Sequence, residues 1–206
     1  MSDSAIFCRT AANEDLNRVV EIHAAAFPGF FLTLLGPSFL RLMYQSFLQN
    51  KKGIFVVAGS NEVIYGFAVG VMDSAGKDWR LALKWMPQFL FALIIPVMRN
   101  PIRVLKRLFT QVFSKNEPYK VPEKSAILRS IGTLPGNQGS GLAGILIKNF
   151  ETAARQNSAD YVALTTDAVD NERAIGFYKK HGYVVGQIFK QDSTRSMLMF
   201  TKKLEI

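Results

Sequence analysis

Cysteine and histidine are scarce in this chain. Its 206 residues include one cysteine, Cys8, and two histidines, His23 and His181. A lone cysteine excludes an internal disulfide framework and suits a reducing compartment. Cys8 lies in the apolar run Ile6-Phe7-Cys8 and reads as a buried small apolar residue rather than a nucleophile. So few histidines and cysteines give no ligand cluster, and no metal site is expected. The amino terminus, Met1-Ser2-Asp3-Ser4, lacks a basic region followed by a long apolar run, so no signal peptide is expected and the cytoplasm is the expected compartment. The longest uncharged stretch of 79–116, Trp85 to Met98, is 14 residues with a proline near each end, too short to span a bilayer comfortably. No internal repeat or low-complexity linker divides the chain, so one domain over 1–206 is expected.

Negative charge is also short. The formal net charge is +9, and residues 79–116 contain no aspartate or glutamate at all. Charge of this sign points to anionic partners, not to a fold. The same stretch holds seven basic residues, among them Arg99, Arg103 and Arg107, with Trp79, Trp85 and four phenylalanines. Pro87, Pro96 and Pro101 are expected to break it into helical pieces. Three readings remain open: a lid packed on the domain, a peripheral membrane element, or a basic surface that recognises an anionic acceptor. Nucleic acid is not expected, because the segment is too greasy and has few polar base-reading residues. Together with Phe30 to Gly36 it offers more apolar surface than a small core needs, which suits an acceptor tunnel, a homodimer interface or membrane contact.

The rest of the chain alternates strand and helix patterns. Residues 5–10 read as a strand. Asn13 is expected to cap a helix that continues to Phe27 and stops at Pro28-Gly29. A second helix is expected from Pro37 or Ser38 to Gln49. The runs 54–58 and 63–71, around the turn 59–62, read as a hairpin, with Gly66 marking a bulge or a close backbone approach. A strand over 126–134 leads through the turn 135–141 into a helix from Leu142. Further elements are a strand at 160–166, a helix over 171–181 and strands at 183–188 and 196–201.

A strand, a glycine-rich turn and a helix in succession make an anion cradle in principle, because the first amides of the helix lack internal partners. Glycine at 139 and 141 lets the backbone turn tightly and approach a phosphate. No Lys-Ser/Thr pair follows, which excludes a P-loop. Pro135 interrupts the strand and no ribose-binding acid stands at the expected offset, which excludes a dinucleotide fingerprint. Alone, the loop is compatible with an ordinary turn.

The segment from Ile131 to Ala143, with Gln138-x-x-Gly141-x-Ala143, resembles the acetyl-CoA signature of the GNAT superfamily of N-acetyltransferases. About 30 residues downstream, Asn171-Glu172-Arg173-Ala174-Ile175-Gly176-Phe177-Tyr178 resembles that superfamily's second cofactor segment. The resemblance is clear over 125–190, and 79–116 lies outside the superfamily's common core. It implies an α/β fold with a mixed, mostly antiparallel twisted sheet flanked by helices. It implies acetyl-CoA as co-substrate and a small-molecule or peptide amine as acceptor. Ile131, Gly132 and Thr133 would meet the pantetheine arm. Gln138, Gly139, Ser140, Gly141, Leu142 and Ala143 would hold the pyrophosphate. Asn171 would hydrogen-bond near the pantetheine, and Tyr178 would protonate the departing thiolate. For the proton on the amine, Asp73, Asp167, His23 and water all remain open. Two rival functions remain as well: a long-chain acyltransferase using acyl-CoA or acyl carrier protein, and a CoA-sensing module without turnover.

Overall fold

The computed structural model describes residues 6–72, 79–102, 104, 120–191 and 195–205, with side chains of the fourth helix described from Trp85 onward. Among these, the strands are β1 (Ile6–Thr10), β2 (Gly53–Ser60), β3 (Val63–Met72), β4 (Ser125–Thr133), β5 (Tyr161–Asp167), β6 (Val184–Lys190) and β7 (Ser196–Lys203). The helices are α1 (Leu16–Ala26), α2 (Phe31–Leu34), α3 (Gly36–Leu48), α4 (Trp79–Arg99), α5 (Leu142–Gln156) and α6 (Glu172–Lys180). The strands form one sheet in the order β1-β2-β3-β4-β5-β7-β6. Every pairing is antiparallel except β4 with β5.

The central strands are apolar on both sides because helices cover both faces. Along β2, Phe55 and Val57 point to a core shared with Leu16, Val19, Ile22, Leu40 and Tyr44 of α1 and α3. Ile54, Val56 and Ala58 point to the opposite core, with Leu146, Ile147 and Phe150 of α5 and Tyr178 of α6. That alternation is the period of two of a strand, and it fixes which helices lie on which face.

Two irregularities shape the middle of the sheet. In the hairpin the register shifts between Ala58 and Gly59, so Tyr65 is the extra residue beside Gly66. A Cβ on Gly66 would lie 2.8 Å from Leu146 Cδ1, so both readings of that glycine hold. In β4 the register against β3 shifts between Val69 and Gly70, leaving Arg129 as the extra residue. At that point β4 also parts from β5: the parallel ladder covers only Ser125–Leu128 against Tyr161–Leu164. From Arg129 to Thr133 the β5-facing edge of β4 has no strand partner among the described residues.

Two local expectations are corrected. Asn13 does not cap α1. It opens a short 3-10 turn, Asn13–Asp15, and Asp15 instead accepts the Ala12 N–H at 2.7 Å and two bonds from Arg9 at 2.6 and 2.8 Å. Residues 79–116 are not broken at Pro87 and Pro96: α4 runs through both. Each proline deletes one backbone hydrogen bond, but α4 is held from the side, with Phe89 against Phe39 of α3 at 5.1 Å between ring centres and Trp85 buried. Pro101 does follow a break, at Asn100, where α4 has ended. The remainder of the expected insertion, 103 and 105–116, lies outside the described residues, save Val104.

Candidate active site

A cavity of about 700 Å³ opens where β4, the glycine-rich loop and α6 meet. Its wall includes Ile131, Gly132 and Thr133 from the unpaired stretch of β4, Gln138, Gly139, Gly141, Leu142 and Ala143 from the loop and the start of α5, and Asn171 and Tyr178 from α6 and the residue before it. Residues separated by almost fifty positions thus share one surface.

The loop's shape follows from its glycines. Gly139 and Gly141 have φ of 84° and 82°, in the left-handed region where a side chain is strained. Their amides have no backbone partner among the described residues. Those of Ala143 and Gly144 lie in the first turn of α5, where no intrahelical acceptor exists. The result is a concave row of N–H donors at the positive end of a 15-residue helix. Lys148, Arg173 and Lys180 also line the cavity, and among the described residues no carboxylate does. The electrostatics therefore favour a polyanionic ligand.

Ser140 is not among the residues that line the cavity. Its hydroxyl donates to Asn137 O at 2.7 Å and its amide to the same carbonyl at 3.4 Å, so it fastens the turn from outside. Asn171 precedes α6 without capping it. Its Nδ2 donates to Thr166 Oγ1 at 2.6 Å and to Asp167 O at 3.0 Å, which leaves Oδ1 as its acceptor toward the cavity.

Tyr178 is 8% exposed and packs against Phe177, Tyr183 and Phe200. Burial pushes its phenol up to about 12, so the proton stays on oxygen throughout the neutral range.

The base candidates fare differently. Asp167 is held by Arg195 at both oxygens, at 2.5 and 2.8 Å, and is not among the residues that line the cavity. His23 is buried, lies off the cavity wall and is hydrogen-bonded through Nδ1 to the Tyr44 hydroxyl at 2.6 Å. Burial pushes its imidazole down to about 4. Asp73 lies outside the described residues. His181, just past the end of α6, lines the cavity. Its Nδ1 donates to Phe177 O at 2.8 Å, which places the lone pair on Nε2. A Cβ on Gly144 would come within 3.0 Å of that nitrogen, so the glycine makes room for the ring.

Arg173, Lys148 and Lys180 were not singled out from the sequence as site residues. Arg173 Nη1 donates to Gln138 Oε1 at 2.5 Å and so ties α6 to the loop. The signal was helical spacing. Arg173, Phe177 and His181 recur every four residues on α6, and Lys148 lies one turn beyond Gly144 on α5.

The profile of the Acetyltransferase (GNAT) family matches residues 16–183, most of the chain. The chain belongs to this family. The acetyltransferase therefore takes acetyl-CoA as its acyl donor, and N-acetyl transfer is its reaction class. Solved structures share its fold. Ard1 from Thermoplasma volcanium is 14% identical, with 98% of this chain and 99% of that chain covered and a TM-score of 0.62. An N-acetyltransferase from Staphylococcus aureus Mu50 is 16% identical, with 98% and 100% covered and a TM-score of 0.62. The PaiA N-acetyltransferase from Thermoplasma acidophilum, solved in complex with coenzyme A, is 13% identical, with 97% and 99% covered and a TM-score of 0.58. At such identities the likeness is one of fold. Among curated proteins, none matches the acetyltransferase at a significant level. Within its described residues no group of histidine, cysteine, aspartate and glutamate could hold a metal ion.

The residues present fit acetyl-CoA. A free strand edge suits the amides of the pantetheine arm, and a cationic wall with unpartnered N–H groups suits the phosphates.

Proposed function

We propose that residues 1–206 form a single N-acyltransferase domain that moves an acetyl group from acetyl-CoA to a primary amine by direct attack within a ternary complex. One observation carries this reading: the unpaired edge of β4, the donor-rich loop and the Tyr178 phenol border the same cavity. In this reading Ile131, Gly132 and Thr133 hold the pantetheine through their backbone. Gln138, Gly139, Ser140, Gly141, Leu142 and Ala143 hold the pyrophosphate. Asn171 Oδ1 accepts an N–H of the pantetheine.

Acetyl-CoA supplies a thioester, whose carbonyl carbon takes the amine and whose sulfur departs. Backbone N–H groups on the free edge of β4 polarise that carbonyl. Tyr178 holds a proton at Oη and delivers it to the departing sulfur. Tyr178 then regains a proton through water from the nitrogen, which sheds one as it becomes an amide. The amine enters neutral and no dedicated side-chain base is needed, in keeping with the engaged Asp167 and the buried His23.

The acetyl group, rather than a long acyl chain, is favoured because no residue of 30–36 or 85–98 lines the cavity. We place the enzyme in the cytoplasm, in peripheral contact with a membrane. No described helix is long and apolar enough to cross one.

Steady-state kinetics of Tyr178→Phe test the mechanism. The expected result is a kcat lowered by about a hundredfold, with KM for acetyl-CoA changed little. An unchanged kcat removes Tyr178 from the chemistry. Acetyl-CoA binding without any thiol release, in the wild type, would instead identify a CoA-sensing module.

A further inference from the structure

Helix α4 presents two unlike sides. On the inner side Trp85 is buried, Phe89 packs on Phe39 of α3, and Val104 just beyond the helix is 1% exposed. The outer side is bare. Leu90 is 60% exposed, Phe91 77%, Ile95 59%, Met98 78% and Ile102 80%. Phe91, Ile95, Met98 and Ile102 recur every three or four residues, with Leu90 beside them, so they form one stripe rather than scattered exposures. The helix has 21 residues and is therefore about 31 Å long. The exposed stripe, from Leu90 to Ile102, covers about 18 Å at the same rise, and a contiguous exposed apolar row of this kind marks an interaction surface.

The charge beside the stripe selects the partner. Arg80, Lys84 and Arg99 lie on the helix, and the whole of 79–116 carries seven basic residues and no acidic one. A second copy laid on the stripe would bring two such segments together and incur like-charge repulsion. Among the described residues no helix is long and apolar enough to span a membrane. An apolar face with aromatic and methionine side chains, in a segment whose charged residues are all basic, matches a helix lying in the plane of an anionic lipid surface.

We propose that the Leu90–Ile102 face is a docking surface for a bilayer containing anionic lipid, entered by the stripe and oriented by the basic residues. The proposal rests on the peripheral-membrane part of the function above and is independent of the acetyl-transfer part. Its location has a consequence for the active site. Helix α4 packs on α3, α3 on α1, and the end of α1 lines the cavity through Ala26 and Phe27. The exposed Phe30 meets Phe27 edge-on, at 5.7 Å between ring centres. The bilayer thus meets the helical layer that borders the cavity, the side from which an acceptor held near a membrane arrives.

The test is co-sedimentation of the full chain with vesicles of phosphatidylcholine alone or mixed with phosphatidylglycerol. It compares the wild type with the double variant Phe91→Ser/Met98→Ser and with Arg99→Gln. Both variants alter exposed side chains away from the cavity, and an unchanged acetyl-CoA thermal shift verifies that they are folded. The wild type is expected to bind phosphatidylglycerol vesicles and not phosphatidylcholine alone. The double variant should bind more weakly by more than about tenfold, and Arg99→Gln by a few-fold, with a weaker salt dependence. Equal binding of wild type and double variant overturns the assigned face while leaving the peripheral location standing. Equal binding to both vesicle types overturns the anionic preference. No binding to either vesicle overturns the proposal and the peripheral location together, as does a dimer in ultracentrifugation that dissolves in the double variant. Acetyl-CoA binding, measured separately, reports on the transferase reading in every case.

Discussion

Gly141 carries a backbone conformation that another residue adopts only under strain. Its φ is 82°, and nothing lies within 4 Å of where a Cβ would stand. Gly141→Ala therefore isolates the backbone effect from any clash. It should cost about 1–2 kcal/mol of stability and shrink the acetyl-CoA-induced rise in melting temperature, because the amide row tilts when the turn relaxes. A full-sized ligand shift would show that the left-handed turn is unimportant for binding. His23 makes a second prediction at this scale. Unfolded, it takes up a proton near pH 6.5; folded, it resists until about 4. The unfolded state therefore binds more protons in that window, so the contribution is intact above pH 6.5 and is lost as pH falls toward 4, up to about 3 kcal/mol in all. His23→Gln should show a smaller fall in melting temperature between pH 7 and pH 5 than the wild type. Tyr178, Asn171 and the loop were legible because each belongs to a contiguous stretch with a recognisable order. The environment of His23 was not, since its neighbours Tyr44 and Phe67 come from α3 and β3.

Among the elements, the decisive feature is the place where β4 leaves β5. Its strand was readable from the apolar run 126–134, but the extra residue at Arg129 and the early end of the parallel ladder were not. Both depend on how neighbouring strands pair, which periodicity along one strand does not encode. The bond from Arg173 to Gln138 joins α6 to the loop in the same way. Arg173→Ala should raise KM for acetyl-CoA by about three- to tenfold, with kcat little affected and the difference shrinking at high salt. A change confined to kcat would place Arg173 in the chemistry instead of in donor binding. Helix α4 teaches the complementary lesson. Its prolines suggested breaks, yet packing of Trp85 and Phe89 on the domain outweighs two missing backbone bonds.

At the scale of the molecule, two apolar layers clamp a sheet that is closed at one end of β4 and open at the other. In the proposed reading the donor enters the open end, where the lining is cationic and, among the described residues, contains no carboxylate. The excess of positive charge noted in the composition thus has at least two addresses, the cavity wall and the flank of α4. The most direct test of the account is release of free thiol from acetyl-CoA, followed with and without a panel of amines: amino-sugar nucleotides, polyamines, amino acids and peptides. The account predicts thiol release that requires an amine and matches N-acetylated product one for one. Thiol released at the same rate without any amine, or no release and no thermal shift with acetyl-CoA at millimolar concentration, would contradict it.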